Sequence, residues 1–371
     1  MSETNARIRY EDWEHYAKKR LSKGAFGYVQ SGSNQEQTLV KNREAFNDLE
    51  LVPRVLKDVS NRDLSIKLLN QSLAVPFLLA PVGFQRIVHP DAERASAKSA
   101  QKAKVPYIMS TVSSTSIEEV SEIMRDVPHY FQLYWPNDQD VCESFVKRAE
   151  KSGFDAIVVT VDTPYLGHRE VDLSNGYSPI NTGAGIENFL TDPVFQEKYN
   201  PNHDLSEAEL IDEIKSILFK QDLTWSNIRW LKKITDLPII LKGVMHVDDA
   251  KLAVEEGIDG LIVSNHGGRQ LDGTQSALKA LQTIRQEIGD DIPILVDGGV
   301  RGAPDVLKAL AIGADAVLIG RPYTYALVDG EAGVDQVLNN FTKDLDTSLA
   351  ILGVNQVKKI DTSVITNSVN R

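Results

Sequence analysis

The sequence predicts an α/β protein, a (β/α)8 barrel with a helical N-terminal extension and a long insertion after its fourth strand. Two recurrent strand openings and the helical patterns between them carry this reading. In the first, a proline starts a short β-rich run: Pro76 before FLLAPVG, Pro106 before YIMST, Pro128 before HYFQLY, Pro238 before IILKG and Pro293 before ILVDGG. In the second, a Gly-x-Asp-(Ala/Gly) turn ends a helix and starts a run: Gly153 to Ala156 before IVVTVD, Gly257 to Gly260 before LIVSN, and Gly313 to Ala316 before VLIGR. Together they give eight strands.

Each run is near-continuously apolar, as a strand covered on both faces must be. Between the runs lie amphipathic helices: Ile117, Val120 and Met124 share one face, as do Leu278, Leu281 and Ile284, and Val306 and Leu310. Glycine follows several of them, where a left-handed C-cap is wanted. Eight such units in series predict a closed TIM-type barrel. The competing arrangement is an open doubly wound sheet, and no early G-x-G-x-x-G follows the first strand to support its dinucleotide-binding form.

The extension spans residues 1–75 and the barrel 76–371. The extension carries a helix around Glu11 to Leu21, then Tyr28 in a Gly/Ser-rich stretch, Gly27 to Ser33. Strand starts are evenly spaced except for an insertion from about Gly167 to Leu237. Its first part, Asp172 to Gly185, is polar; its later part, Glu207 to Phe219, reads as a helix. A long segment on this side of a barrel sits above the active site and is a lid candidate, with an oligomer contact as the other reading.

The chain has 371 residues, 42% apolar and 25% charged, values typical of a globular enzyme. The net charge of −12 argues against nucleic acid or an anionic membrane surface as partner. A single cysteine, Cys142, rules out an intramolecular disulfide and reads as core filler in a helix. Met1 to Arg20 lacks the apolar run of a secretory signal, and no stretch is long and apolar enough to span a bilayer. A soluble cytoplasmic protein is expected, and no metal ligands are assigned.

In a barrel of this kind, chemistry sits at the C-terminal strand ends. The sixth strand ends Ser264-Asn265-His266-Gly267-Gly268-Arg269, placing a His and an Arg on a tight glycine turn able to face one cavity. A lone His is usually structural; of the seven histidines this is the one directly at a strand end among glycines, which favours catalysis. The fourth strand ends Thr160-Val161-Asp162-Thr163-Pro164, then Gly167-His168-Arg169. Asp162 is placed to orient an imidazole and stabilise its cation, although an Asp capping a turn is common. Arg169 and Arg269 at one mouth predict a carboxylate or phosphate ligand.

The third strand ends Gln132-Leu133-Tyr134, offering a phenol to a substrate oxygen or merely packing. Lys242, ending the fifth strand, is a fixed positive charge suited to an anionic cofactor ring. Pro81-Val82-Gly83 after the first strand allows close backbone approach to a flat ligand. The last two strands end Asp297-Gly298-Gly299-Val300-Arg301 and Gly320-Arg321-Pro322, the usual position of a phosphate site in a barrel.

These motifs in this order (F-Q-L-Y, T-V-D-T-P, S-N-H-G-G-R, L-V-D-G-G-V-R and I-G-R-P) resemble the FMN-dependent L-2-hydroxy acid oxidase family, from about Tyr10 to past Tyr325. P-Y-I-M-S-T, Y-F-Q-L-Y-W-P, T-D-P-V-F-Q and G-R-P-Y look most like the lactate 2-monooxygenase-like members. The resemblance implies FMN as cofactor, a small 2-hydroxy acid and O2 as substrates, and a homotetramer. It implies that His266 takes a proton from the substrate, Asp162 pairs with His266, and Tyr134 contacts the substrate oxygen. Arg269, Arg169 and Tyr28 would hold the carboxylate. Lys242 would sit near the flavin N1 and O2. Gln132, Thr160, Ser110 and the backbone of Pro81, Val82 and Gly83 would line the ring, Asp297 would bind the ribityl hydroxyls, Gly299, Arg301, Gly320 and Arg321 the phosphate, and Ser264 and Gly298 belong to the same cofactor-binding set.

Two residues depart from the family pattern, Gly83 and His168, the latter standing before Arg169 where the family usually carries a hydrophobic residue or Arg. Gly83 stands where glycolate and lactate oxidases usually carry Ala, and the missing methyl is expected to open space beside the ring. The segment Met109 to Ile117 is shorter than in glycolate oxidase and lacks its aromatic residue. The resemblance implies oxidation of L-lactate to pyruvate with release of H2O2. The alternatives are lactate 2-monooxygenase chemistry, giving acetate, CO2 and water, and, more distantly, an FMN-barrel isomerase of the type 2 isopentenyl diphosphate kind.

Overall fold

Strand periodicity organises the whole molecule. In a computed structural model describing residues 7–367, eight parallel strands close in consecutive order. They are β1 (Phe77–Leu79), β2 (Tyr107–Ser110), β3 (His129–Leu133), β4 (Ala156–Thr160), β5 (Ile239–Val244), β6 (Gly260–Val263), β7 (Ile294–Val296) and β8 (Ala316–Ile319), and β8 pairs back onto β1. All eight sit where the Pro and Gly-x-Asp openings predict them. Because side chains alternate, one set fills the barrel: Leu78, Ile108, Tyr130, Val158, Ile240, Ile262, Leu295 and Leu318 form an inner apolar cluster. The other set packs outward under helices such as Ile117–Met124, Ala277–Ile288 and Ala303–Ala311, whose predicted apolar faces are buried.

The N-terminal extension does more than the sequence reading expects. Its first helix, α1 (Tyr10–Arg20), lies where predicted. The Gly/Ser-rich stretch around Tyr28 is instead mostly a second helix, α2 (Lys23–Gln30), started by Ser22, whose hydroxyl accepts from the Ala25 N–H at 3.2 Å. A third helix, α3 (Gln37–Asn47), follows. A hairpin, Ile66–Leu68 with Gln71–Leu73, sends Leu68 and Leu73 into the inner barrel cluster and closes its lower end. Tyr130, inside the barrel, donates its hydroxyl to Gln71 at 3.2 Å. Leu49–Leu51 pairs antiparallel with Ile365–Asn367, tying the N-terminal extension to the C-terminal end of the described chain.

The insertion contains a short helix, α4 (Glu170–Ser174), and the predicted one, α5 (Glu207–Ile217), whose Ser206 and Glu209 form a capping box. Cys142 is fully buried on a helix, and burial pushes its thiol well up, consistent with a packing role. Among the described residues no helix is long and apolar enough to cross a membrane. Met1 to Ala6, part of the stretch read for a leader, lie outside the described residues.

Candidate active site

The site begins as the next layer of the barrel interior. Two residues beyond each inner apolar residue the chain presents Ala80, Ser110, Gln132, Thr160, Lys242, Ser264, Asp297 and Gly320, so the strand period turns an apolar core into a polar floor. Hydrogen bonds link its members. Ser110 donates to Gln132 Oε1 at 3.1 Å, and Gln132 Nε2 donates to Thr160 Oγ1 at 3.0 Å. Lys242 Nζ donates to Ser264 Oγ at 2.9 Å and lies 3.0 Å from Asp297 Oδ2. Above this floor is a cavity of about 730 Å³, walled by the strand-end loops, α2 and the insertion.

His266 stands at the cavity wall with φ of 59°, and Gly267 and Gly268 continue in the left-handed region at 64° and 77°. Such a backbone is uncommon for a histidine and marks a functional turn. Glycine is required at 268, because a Cβ there would lie 2.6 Å from the Leu39 amide nitrogen. The turn is held from below by α3: Asn42 and Asn265 exchange two amide hydrogen bonds of 2.8 Å.

His266 Nδ1 is 2.9 Å from Asp162 Oδ1, and Nε2 is 3.3 Å from the Tyr134 hydroxyl. Burial holds the imidazole below its ordinary value, against the opposing pull of Asp162. Burial works to raise Asp162, but the imidazole and Lys242 outweigh it and keep the carboxyl below its usual range. The pair therefore rests as a carboxylate and a neutral imidazole. Nδ1–H donates to Asp162, which leaves Nε2 free to accept a proton.

The two arginines meet around Tyr28. Arg269 Cζ lies 4.7 Å and Arg169 Cζ 5.7 Å from the centre of its ring. Arg269 Nη1 donates to the Tyr28 and Ser31 carbonyls at 2.6 Å each. Arg321 donates to the Val29 and Ser31 carbonyls at 3.0 Å. These bonds satisfy the free carbonyls at the end of α2 and fix Tyr28 over the cavity. Burial, then the Arg169 charge, pushes the Arg269 guanidinium down to about 9, with Asp172 among the groups pulling the other way.

The residues present fit FMN. Asp297 Oδ1 is buried and accepts no hydrogen bond among the described residues, so an acceptor is available for a ribityl hydroxyl. Gly298, Gly299, Arg301, Gly320 and Arg321 line one end of the cavity, where backbone N–H groups and two guanidiniums suit a phosphate. The Arg301 guanidinium is stacked 4.1 Å from the Tyr10 ring of α1. Lys242, Gln132, Thr160 and the Pro81–Val82–Gly83 backbone line the floor for a planar ring. No group of His, Cys, Asp or Glu able to hold a metal occurs among the described residues.

Most residues singled out from the sequence thus come together. His266, Tyr134, Tyr28, Arg169 and Arg269 face the cavity, with Asp162 behind His266. Ser110 and Ser264 do not line it; each is buried behind the wall, bracing Gln132 and Lys242. The space expected at Gly83 is also absent. A methyl there would collide with the Val112 side chain and approach Ser110 Oγ at 3.1 Å, so Val112 takes the room that the glycine leaves.

Several lining residues escape a motif reading. Phe84 meets Tyr28 edge-on at 5.9 Å, and Phe219, just past α5, meets Tyr134 edge-on at 5.2 Å. Asp172 also lines the cavity, three residues after Arg169 on α4. That helical spacing was the available signal, since positions three apart share a face. Glu93 is fully buried behind the wall. It accepts from the Ser114 N–H at 2.9 Å and the Gln85 N–H at 3.3 Å, tying the loops after β1 and β2 together.

Known proteins resemble this chain over nearly its whole length. The chain is 44% identical over 356 residues to an L-lactate oxidase of Lysinibacillus sphaericus, covering 96% of this chain and 92% of that protein. It is 37% identical over 359 residues to the human 2-hydroxyacid oxidase 1, covering 96% of each. A crystal structure of mandelate oxidase superposes with a TM-score of 0.84 at 36% identity, covering 94% of this chain and 96% of that one. The family model described as FMN-dependent dehydrogenase matches residues 17–367, and the chain belongs to that FMN-dependent family.

Proposed function

We propose that this protein oxidises a small L-2-hydroxy acid, L-lactate above others, to the 2-oxo acid: L-lactate + O2 → pyruvate + H2O2. The observation that carries the reading is the His266–Asp162 pair opening into the same cavity as Arg169 and Arg269. A base beside two guanidiniums suits a substrate with a carboxylate next to the carbon that loses hydrogen. The names of its relatives, L-lactate oxidase among them, support the substrate class.

In this reading Arg169, Arg269 and Tyr28 bind the carboxylate and orient the carbinol carbon. The Tyr134 hydroxyl, 3.3 Å from His266 Nε2, donates to the substrate hydroxyl oxygen. Nε2 accepts a proton as that carbon is oxidised, and Asp162 stabilises the imidazolium. Bound FMN supplies the acceptor for the two electrons. Leu166, before the insertion, and Leu173, Leu218 and Phe219 within it line the same cavity and offer apolar surface to the substrate side chain. Lys242 holds a positive charge at the floor.

The test is an anaerobic spectrum. L-lactate should bleach the flavin, and air should restore it with one H2O2 and one pyruvate per lactate. No bleaching would sink the hydroxy acid reading. Acetate and CO2 in place of pyruvate and peroxide would replace it with the monooxygenase outcome.

A further inference from the structure

We propose that Asp172 is a positioning residue that acts as the resident counter-anion of the Arg169–Arg269 pair, so that a substrate carboxylate binds together with a proton taken up by Asp172. The inference rests on the arginine-carboxylate reading above and deepens it.

The geometry is that of an anion held in reserve. Asp172 is 9% exposed, lines the cavity, and its Oδ1 is buried without a hydrogen-bond donor among the described residues. It follows Arg169 by three residues on α4, and α2, carrying Tyr28, packs against this helix. The groups facing it are Arg269 from the β6 loop, Arg169 from the start of α4 and Tyr177 from the turn after α4, and Tyr28 from α2 lines the same cavity. His266, His168 and Lys215 face the same cavity. Two guanidiniums facing one largely apolar cavity repel each other, and a carboxylate near them reduces that cost. No Asp172–Arg hydrogen bond forms among the described residues, so the guanidinium N–H groups not already donating to backbone carbonyls remain available to a ligand.

A second carboxylate arriving at those arginines meets Asp172 as a like charge. Burial already raises the Asp172 carboxyl, with Arg269 and then Arg169 pulling against it. The incoming anion engages the arginines and raises Asp172 further. Between its free and bound values the protein takes up a proton on binding, and affinity falls as pH rises through that interval. A shift of about one unit changes affinity about tenfold across it.

The test uses propionate, a lactate-sized carboxylate without the reacting hydroxyl, bound to the FMN-loaded protein and followed by flavin absorbance and by calorimetry in buffers of different ionisation heat. His266 also titrates in this cavity, so proton uptake is measured in His266→Asn and in His266→Asn with Asp172→Asn. The proposal expects uptake in the first, abolished in the second, with affinity at about pH 8 rising about tenfold. Asp172→Glu should restore the uptake. Equal uptake in both proteins, no uptake in His266→Asn, or weaker propionate binding without the Asp172 carboxylate would overturn it. If Asp172→Asn does not fold with FMN, the uptake in His266→Asn and its pH interval in Asp172→Glu still decide. Propionate failing to bind the native protein at all, with lactate leaving the flavin oxidised, would instead defeat the functional reading beneath it.

Discussion

Replacing Asp162 with Asn isolates charge from geometry at the proposed base. The amide oxygen can still accept from His266 Nδ1, and the side-chain volume is unchanged. What disappears is the anion that stabilises the imidazolium. With Nδ1 and Oδ1 2.9 Å apart and both side chains below one-fifth exposed, the charge centres lie about 4 Å apart. At an effective dielectric near 20 that interaction is about 4 kcal/mol. At about 1.4 kcal/mol per factor of ten, flavin reduction by L-lactate should slow by about 10³. The assay is anaerobic stopped-flow bleaching, with propionate affinity measured alongside to show that the arginines still bind. The pH profile gives a second reading. Burial holds His266 below 6.5, so the acid limb of kcat/KM should lie below that value, activity being lost as the imidazole protonates. Asp162 opposes that depression, so Asp162→Asn should move the limb lower still. A loss of less than tenfold, or a limb that moves up, would contradict the charge-stabilising role of Asp162.

Further expectations concern the residues around this pair. Arg269→Lys should weaken lactate binding by about 2 kcal/mol, roughly 30-fold, because one ammonium cannot serve a carboxylate and the carbonyls of Tyr28 and Ser31 together; an unchanged KM would contradict this. Lys242→Met strands Asp297 without its buried cation, so thermal unfolding should show a loss of about 3–5 kcal/mol. The same variant should move the FMN midpoint potential negative by roughly tens of millivolts, and a potential that stays put would remove Lys242 from its role. Glu93 is pushed up from 4.5 to about 7 by burial. The unfolded chain therefore ionises first as pH rises, and stability falls between those two values and levels off above them. Glu93→Gln should flatten the melting temperature across that range; a slope equal to that of the native protein would count against it.

The fold was legible because its signals are local. A proline or Gly-x-Asp turn, a short apolar run and a 3.6-residue pattern each declare themselves within a dozen residues, and repetition places strand ends at one rim. His266, Asp162, Arg169 and Arg269 follow from that rim alone. What the sequence concealed depends on contacts made across long separations. The helical state of Tyr28 rests on Ser22 at one end and on Arg269 and Arg321 at the other, more than two hundred residues away. Ser110 and Ser264 occupy the right layer, yet the larger Gln132 and Lys242 side chains reach past them to the cavity. The glycine at 83 reads as a gap until Val112 is seen to fill it. Asp172 sits in a segment that looks merely polar, and only the folded insertion turns it toward the arginines.

In the proposed reaction the imidazole of residue 266, held neutral and oriented by Asp162, is the base. Single-turnover mixing of FMN-loaded His266→Asn with L-lactate without oxygen tests it most directly. This variant should keep its flavin spectrum and bind propionate, while bleaching slows by about 10⁴-fold or more. Bleaching at a rate near that of the native protein would contradict it.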